Sequence, residues 1–439
     1  MLRYLYESPY SIINELVLEL LLIRRAMEYK ELSKMFYSNA SNDRDASLER
    51  EYRARFFAES TFRLGFDSPE GELFIAVPRE MSLLVERILR TERKISNTLR
   101  SMPGTASNAV LRGFVLDEVV STNAIEDIRS TREQVKEALE APQEAPLSAK
   151  RFRELATLYL SIINDDAMAP SAPEDIRKIY DEVTYGEISP EKMPDGDLFR
   201  AHGVEIVQGG YKVVHRGMEP ESAITEAIQR MLAIANSEEI PALYGGIAAH
   251  YLFEYIHPFY DGNGRTGRYL LSLMLNESLS AATALSLSRI IAENRDEYYR
   301  AFKTAEKPLN KGELTFFVFT MLELIREAQL RLEEGLLKNI ETLDALNQLM
   351  SVIAEREELK DQEANIVFML MQCRAFGLYG YAPLDEIARQ IGLGSQMVRK
   401  HLTSLEQKGI VVKVRKRNPI TFSLSREFAD RYCGAFLKI

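Results

Sequence analysis

The sequence predicts a mainly α-helical protein with one small β-hairpin near its middle and a helix–turn–helix unit followed by two short strands at its C-terminus. Three observations lead there. Apolar residues recur at helical spacing along most of the chain, as at Leu84, Val85, Ile88 and Leu89. Residues 199–215 break that pattern, with β-branched residues alternating on both sides of Gln208-Gly209-Gly210, a hairpin signature. Near the C-terminus a short helix, a Gly392-Leu393-Gly394 turn, a longer helix and two β-branched runs follow one another.

Composition narrows the class. The chain has 439 residues, 46% of them apolar and 27% charged, which is ordinary for a globular protein of roughly two to four domains. Net charge is −10, so the molecule as a whole is not a polyanion binder, and a nucleic-acid role would need a local basic patch. Two cysteines, Cys373 and Cys433, make no disulfide framework and predict a reducing, cytoplasmic setting. His202, His215, His250, His257 and His401 fall at no zinc-ligand spacing. The apolar run at 11–23 is interrupted by Asn14, Glu15 and Glu19 and is too short to cross a bilayer. It predicts an amphipathic packing helix with Ile12, Ile13, Leu16, Leu18 and Leu20 inward, and no membrane partner.

In order along the chain, residues up to about 70 read as irregular helix with a polar loop at 38–47. Phe74-Ile75-Ala76-Val77-Pro78 opens a new unit, followed by helices over about 80–99, 108–121 and 131–139, a turn at 142–146 and a helix at 153–164. After the hairpin, helices resume at Glu221, and 241–256 reads as a buried helix that delivers His257 at its end. Helical pattern then continues to about Glu358. The C-terminal unit has helices at 366–373, 384–391 and 395–408, with Ser395 as N-cap and Gly409 just past the end, then strands at 410–414 and 421–424.

The stretch His257-Pro-Phe-Tyr-Asp-Gly-Asn-Gly-Arg-Thr-Gly-Arg268 carries the most chemistry. Gly262 and Gly264 let the backbone approach an anion closely, and successive N–H groups at a helix start form an anion-binding nest. Arg265 and Arg268 are three apart on one helix face, suited to a phosphate chain. Asp261 suits a hard cation such as Mg²⁺, which binds through few carboxylates and phosphate oxygens.

This stretch resembles the signature of the Fic family, HPFx[D/E]GNGRxxR, at every fixed position. The resemblance implies a Fic-type helical bundle with the 199–215 hairpin as its flap, and transfer of AMP from ATP, the substrate, to a Ser, Thr or Tyr hydroxyl of a protein, itself included. His257 would take the hydroxyl proton. Asp261 would hold Mg²⁺. Backbone amides of Gly262, Asn263 and Gly264 would cradle the phosphates, Arg265 would stabilise the leaving pyrophosphate, and Arg268 would bind the γ-phosphate. Phe259 would anchor the loop in the core, whereas Tyr260 stands at the variable position. Doc-type kinases of the superfamily carry Lys where this chain has Gly264, so glycine points to nucleotidyl transfer. Asn294, Tyr298 and Tyr299 fall where the family lines its adenine pocket.

Ser121-Thr122-Asn123-Ala124-Ile125-Glu126-Asp127 resembles the family's inhibitory-helix motif [S/T]xxxE[G/N] through Thr122 and Glu126, and departs from it at Asp127. The resemblance implies that Glu126 pairs with Arg268 and excludes a productive ATP pose. Glu126 could also position water for AMP removal, which would make the protein bifunctional.

Residues 395–417 hold seven Lys or Arg against one acidic residue, Glu406. With the flanking helices and strands, this unit resembles a winged helix-turn-helix domain. Gln396, Arg399, Lys400 and Thr403 would read bases of double-stranded DNA, and Lys413, Arg415, Lys416 and Arg417 would grip phosphates. A homodimer would suit that geometry. A protein partner is the alternative. Together the resemblances divide the chain into a helical N-terminal region (1–73), a Fic extension with inhibitory helix (74–145), a Fic catalytic core (146–330), a connecting helix (331–362) and a winged helix-turn-helix domain (363–439). The leading expectation is an auto-inhibited protein adenylyltransferase; the alternative is a DNA-binding transcriptional regulator whose Fic domain senses nucleotide.

Overall fold

The computed structural model describes residues 28–40, 43–141, 146, 151–208, 212–415 and 419–434. The expected helix at 11–23, most of the 142–146 turn, the Gly209-Gly210 turn, and Lys416 and Arg417 lie outside the described residues. The chain divides into two compact units, Met1–Glu92 with Glu118–Leu330, and Arg93–Asp117 with Arg331–Ile439.

The first unit begins with α1 (Leu32–Ser38) and α2 (Arg44–Phe56), followed by an antiparallel hairpin of β1 (Thr61–Ser68) and β2 (Gly71–Ala76). The expected irregular helix to residue 70 is therefore wrong in its last part. Thr61-Phe62-Arg63-Leu64-Gly65-Phe66 alternates with period two, and Gly65, at φ 60°, takes up the register shift between Arg63 and Asp67. Next come α3 (Arg79–Ser101) and α4 (Gly104–Ile125), which the chain shares between the units, then α5 (Arg132–Glu140). The Thr131 hydroxyl caps α5 by accepting from the Gln134 N–H, and the Gln134 side chain accepts from the Thr131 N–H, a capping box.

Two helices, α6 (Arg153–Ile163) and α7 (Pro173–Val183), lead to the second hairpin, β3 (Glu205–Gln208) and β4 (Lys212–Arg216). Its register pairs Ile206 with His215 and then slips by one residue. Residues 199–204, expected in the first strand, are not in it. Phe199 is buried, and the Arg200 N–H donates to the Pro258 carbonyl, so this segment is tied to the loop after His257.

Around that loop lie α8 (Glu221–Ala235), α9 (Ala242–Ile256), α10 (Asn263–Ser278), α11 (Ala281–Ala284), α12 (Leu287–Glu293) and α13 (Arg295–Ala305). Helix α9 is apolar nearly all round and runs through the core, with Ile247, Ala248, Leu252 and Ile256 at 0% exposure. Burial of each of the Ile and Leu side chains contributes about 1.5–3 kcal/mol. Gly245 lets α9 approach α8 closely, since a Cβ there would meet the Ile234 carbonyl oxygen at 3.1 Å. One long helix, α14 (Thr315–Arg356), replaces the several expected to residue 358 and crosses the boundary between units.

The second unit holds α15 (Asp361–Phe376), β5 (Tyr381–Pro383), α16 (Leu384–Ile391), α17 (Ser395–Gln407), β6 (Val411–Arg415), β7 (Thr421–Leu424) and α18 (Arg426–Tyr432). The strands form one antiparallel sheet in the order β5-β7-β6. Sequence reading found β6 and β7 but not β5, which is three residues long and too short for alternation to mark. Ile366, Leu370, Val398, Leu402 and Phe422 build the core. Ser395 does not cap α17: Gly394 holds the N-cap position and no side chain caps it. Gly409 does take a left-handed φ of 72° just past the helix end. Among the described residues no helix is long and apolar enough to cross a membrane.

Candidate active site

The loop that ends α9 and starts α10 is fixed by side-chain clamps, ring stacking and a glycine. His257 itself is left-handed, at φ 51° and ψ 63°, while its N–H closes α9 on the Phe253 carbonyl. A non-glycine residue there is strained by about 1–2 kcal/mol unless neighbours hold it. Arg200, fully buried, does so: its Nε donates to the His257 carbonyl at 2.8 Å, Nη1 to the His202 carbonyl at 2.7 Å and Nη2 to the Met218 carbonyl at 2.6 Å. Asn263 folds back on Phe259, accepting from its N–H at 3.0 Å and donating to its carbonyl at 2.7 Å. Phe259 is buried and stacks on Tyr180 with centroids 3.6 Å apart. Gly262 starts α10 at φ 85°, and a Cβ there would meet Thr184 at 2.6 Å, so the position demands glycine. Tyr260, given no role by the sequence, donates its hydroxyl to Asp195 and accepts from the His202 N–H.

His257 faces a cavity of about 880 Å³ lined by Glu126, Glu254, Gly264, Arg268 and Tyr299 among others. Burial, with the nearby His215 charge, pushes its imidazole down to about 4. The ring is thus neutral near pH 7, the form that accepts a proton. Its Nδ1 is buried without a partner of normal hydrogen-bond geometry.

Arg268 is 2% exposed, and its Nε and Nη2 are both engaged by the end of α4 and the turn after it. Nε donates to the Thr122 hydroxyl at 2.8 Å, and Nη2 donates to the Thr122 carbonyl at 3.1 Å and to Glu126 Oε1 at 2.8 Å. Burial opposes its charge most strongly, but Glu126, Tyr298, Tyr299 and Glu254 together hold the guanidinium above its usual range. The Glu126 carboxylate also lies against the start of α10: a Cβ on Gly264 would come within 2.2 Å of Oε1. Glu126 follows the last residue of α4, and Asp127 turns the chain at φ 57°. Aspartate is among the few non-glycine residues that tolerate this region, so it can stand where Gly or Asn was expected. Asp127 also pairs with Arg295 at 3.1 Å.

Arg265 and Asp261 are not among the residues lining this cavity. Arg265 donates from Nη1 to Glu187 at 2.8 Å, with both side chains buried. Burial raises the Glu187 carboxyl, offset by Arg265 and Arg151. Asp261 Oδ1 accepts from the Gly262 N–H, and Oδ2 carries the Lys192 ammonium at 2.6 Å. Among the described residues no group of three or more His, Cys, Asp or Glu could hold a metal. Asp261 is thus a single carboxylate facing a cation, which suits an ion shared with phosphate oxygens and not a protein-only site. Tyr298 and Tyr299 line the cavity, but Asn294 does not: its amide donates to the Ile290 carbonyl and to Glu327. His250, buried, bridges the Gly267 carbonyl and the Tyr298 hydroxyl, and burial pushes it down to about 3.

Sequence reading missed Arg200, Glu187, Lys192 and Glu254. Only Glu254 left a signal, a charged residue in an otherwise apolar helix three positions before His257.

In the C-terminal unit, Gln396, Arg399, Lys400 and Thr403 are all exposed on α17. Lys413 pairs with Glu406 at 2.9 Å, and the Arg415 guanidinium lies 5.7 Å from the Tyr381 ring centre.

Residues 170–275 match the Fic/DOC family. A probable protein adenylyltransferase of Aquifex aeolicus is 39% identical over 74 residues, 17% of this chain and 21% of that protein. The protein adenylyltransferase Fic of Drosophila yakuba is 28% identical over 145 residues, 33% of this chain and 26% of that one. The chain therefore spans about a quarter or less of these curated relatives. Among solved structures, a Fic family protein from Desulfovibrio desulfuricans aligns over 77% of this chain and 96% of its own, at 21% identity and a TM-score of 0.44. Residues 170–275, with the His257–Arg268 loop, make up a domain of the Fic/DOC family.

Proposed function

We propose that the protein is an auto-inhibited protein adenylyltransferase that moves AMP from ATP to a Ser, Thr or Tyr hydroxyl of a protein. The observation that carries this is the shared cavity: a neutral His257 faces the space where Arg268 is held by Thr122 and Glu126 beside Gly264. His257 accepts the hydroxyl proton as the oxygen attacks the α-phosphorus, and the bond to the pyrophosphate breaks. The α10 N-terminus, with the amides of Gly262, Asn263 and Gly264, receives the phosphates. Mg²⁺ would be held by Asp261 with phosphate oxygens and would neutralise phosphate charge. Arg265 would stabilise the leaving pyrophosphate, its guanidinium oriented by Glu187. Glu126 withholds Arg268 from the γ-phosphate. The test is incorporation from α-labelled ATP with Mg²⁺ by wild type, Glu126→Gly and Glu126→Gly/His257→Ala. Strong labelling only in Glu126→Gly supports the reading; no labelling in any variant overturns it.

A second activity is carried by a separate observation. The four exposed side chains Gln396, Arg399, Lys400 and Thr403 form one polar face on α17 beside the basic strand β6. This face would enter the major groove of double-stranded DNA, and a homodimer would present two of them. Binding should weaken steeply with salt and be lost in Arg399→Glu/Lys400→Glu. Salt-independent or unchanged binding would exclude it.

A further inference from the structure

Among the side chains lining the cavity before His257 are the carboxylates of Glu126 and Glu254 and the guanidinium of Arg268, which is hydrogen-bonded to only one of the two, Glu126. The other, Glu254, stands on α9 one turn before His257. Its Oε1 is buried without a hydrogen-bond partner, against the backbone of α10, where a Cβ on Gly267 would come within 2.3 Å of it. Groups from every neighbouring element face it: Arg268 from α10, Glu126 from the turn after α4, His215 from β4, Tyr298 and Tyr299 from α13, and His257 from its own helix. Burial pushes its carboxyl up to about 7; Arg268 and His215 oppose this, and Glu126 adds to it. This carboxyl is therefore poised between its two forms near neutrality, in a cavity that Arg268, Arg295, Arg300 and Lys303 also line.

A polyphosphate entering the cavity replaces one carboxylate, Glu126, with several negative oxygens. These draw on the same Arg268 charge that partly steadies an ionised Glu254. Both changes favour the neutral acid at Glu254.

We propose that Glu254 takes up one proton when the site binds the polyphosphate of a nucleotide, so that the phosphates meet a carboxylic acid and not a second carboxylate. The proton comes from solvent and adds to a carboxylate oxygen; no covalent bond breaks. The acid then donates its O–H where the ionised group could only repel. Glu254 is thus a positioning residue that links nucleotide affinity to pH, and the inference rests on the reading of this cavity as an ATP site.

The test is calorimetry with the α,β-methylene analogue of ATP and Mg²⁺, which binds without transferring AMP. Glu126→Gly and Glu126→Gly/Glu254→Gln are titrated in two buffers of different ionisation enthalpy, from pH 7 to 9. Glu126→Gly should take up more protons per nucleotide than the double variant, by up to one, and its Kd should weaken by up to about tenfold per pH unit where Glu254 loses its proton. The double variant should be flatter. Equal proton uptake and parallel profiles overturn the role of Glu254. If the double variant does not fold, a pH-independent affinity of Glu126→Gly overturns it alone. Binding by neither variant overturns the ATP reading, and this inference with it.

Discussion

Replacing Glu126 by glycine should tighten ATP binding by about ten- to a hundredfold. Glu126 Oε1 accepts from Arg268 Nη2 at 2.8 Å, and the same carboxylate rests against Gly264, where the incoming phosphate must approach. ATP can use Arg268 only after this contact breaks. A hydrogen bond between charged groups is worth about 1.5–3 kcal/mol, and about 1.4 kcal/mol is tenfold in Kd. The Glu126 side chain is 32% exposed, so water recovers part of the loss and the lower half of that range is expected. Arg268 keeps both contacts to Thr122, so the guanidinium stays in place for the γ-phosphate. Glu126→Gln separates charge from shape: it keeps an acceptor but loses the charge, and should fall between wild type and Glu126→Gly. The assay is calorimetric titration with the α,β-methylene analogue and Mg²⁺. A Kd for folded Glu126→Gly within twofold of wild type would refute the reasoning, because the carboxylate would then not compete with phosphate.

Two further outcomes follow from the buried polar groups. Arg200→Met should lower unfolding free energy by about 3 kcal/mol or more, read from the urea midpoint, since it strips donors from the His257, His202 and Met218 carbonyls; a loss under about 1 kcal/mol would mean that Arg200 does not hold the loop. Acid stability should reflect His250, whose folded value near 3 lies below an unfolded value of about 6.5. A depressed histidine contributes stability present above pH 6.5 and lost as pH falls toward 3, and His257, near 4, acts in the same sense. Glu254, raised to about 7, acts in the opposite sense between pH 7 and 4.5 and cancels one of them. His250→Gln should therefore make the fall from pH 6.5 to 4.5 shallower by up to about 1.4 kcal/mol per pH unit, measured by urea titration at each pH; an unchanged slope would mean that His250 is not buried neutral.

The His257–Arg268 loop was legible because its residues are consecutive and their types are demanded by backbone shape and charge. Phe259 meets its expected place in the core, and Gly262 its expected freedom of backbone. The Thr122–Glu126 spacing was legible for the same reason: both residues come from one helix end. What sequence could not supply was partnership across the chain. Arg200 and Glu187 act through residues 57 and 78 positions away. No local pattern marks an arginine that will spend its donors on distant carbonyls, or a glutamate that will be buried against one. Strand β1 was lost among helices because its period-two run spans only Thr61–Phe66, soon after a helix, and is too short to stand out from the helical pattern before it. Strand β5 was lost because three residues carry no period. Arg265 and Arg268 share a helix face by spacing, yet Arg265 turns to Glu187 and Arg268 to Thr122 and Glu126. Spacing gives the direction of a side chain but not which neighbour it meets.

The central claim is that the group transferred is AMP. Glu126→Gly incubated with Mg²⁺ and ATP labelled at either the α- or the γ-phosphate tests it most directly, with Glu126→Gly/His257→Ala as the paired control. The account predicts protein-bound label from α-labelled ATP only, reduced by about 10²–10⁴-fold when His257 is removed. Label from γ-labelled ATP and none from α-labelled ATP would make the reaction phosphoryl transfer and contradict the account.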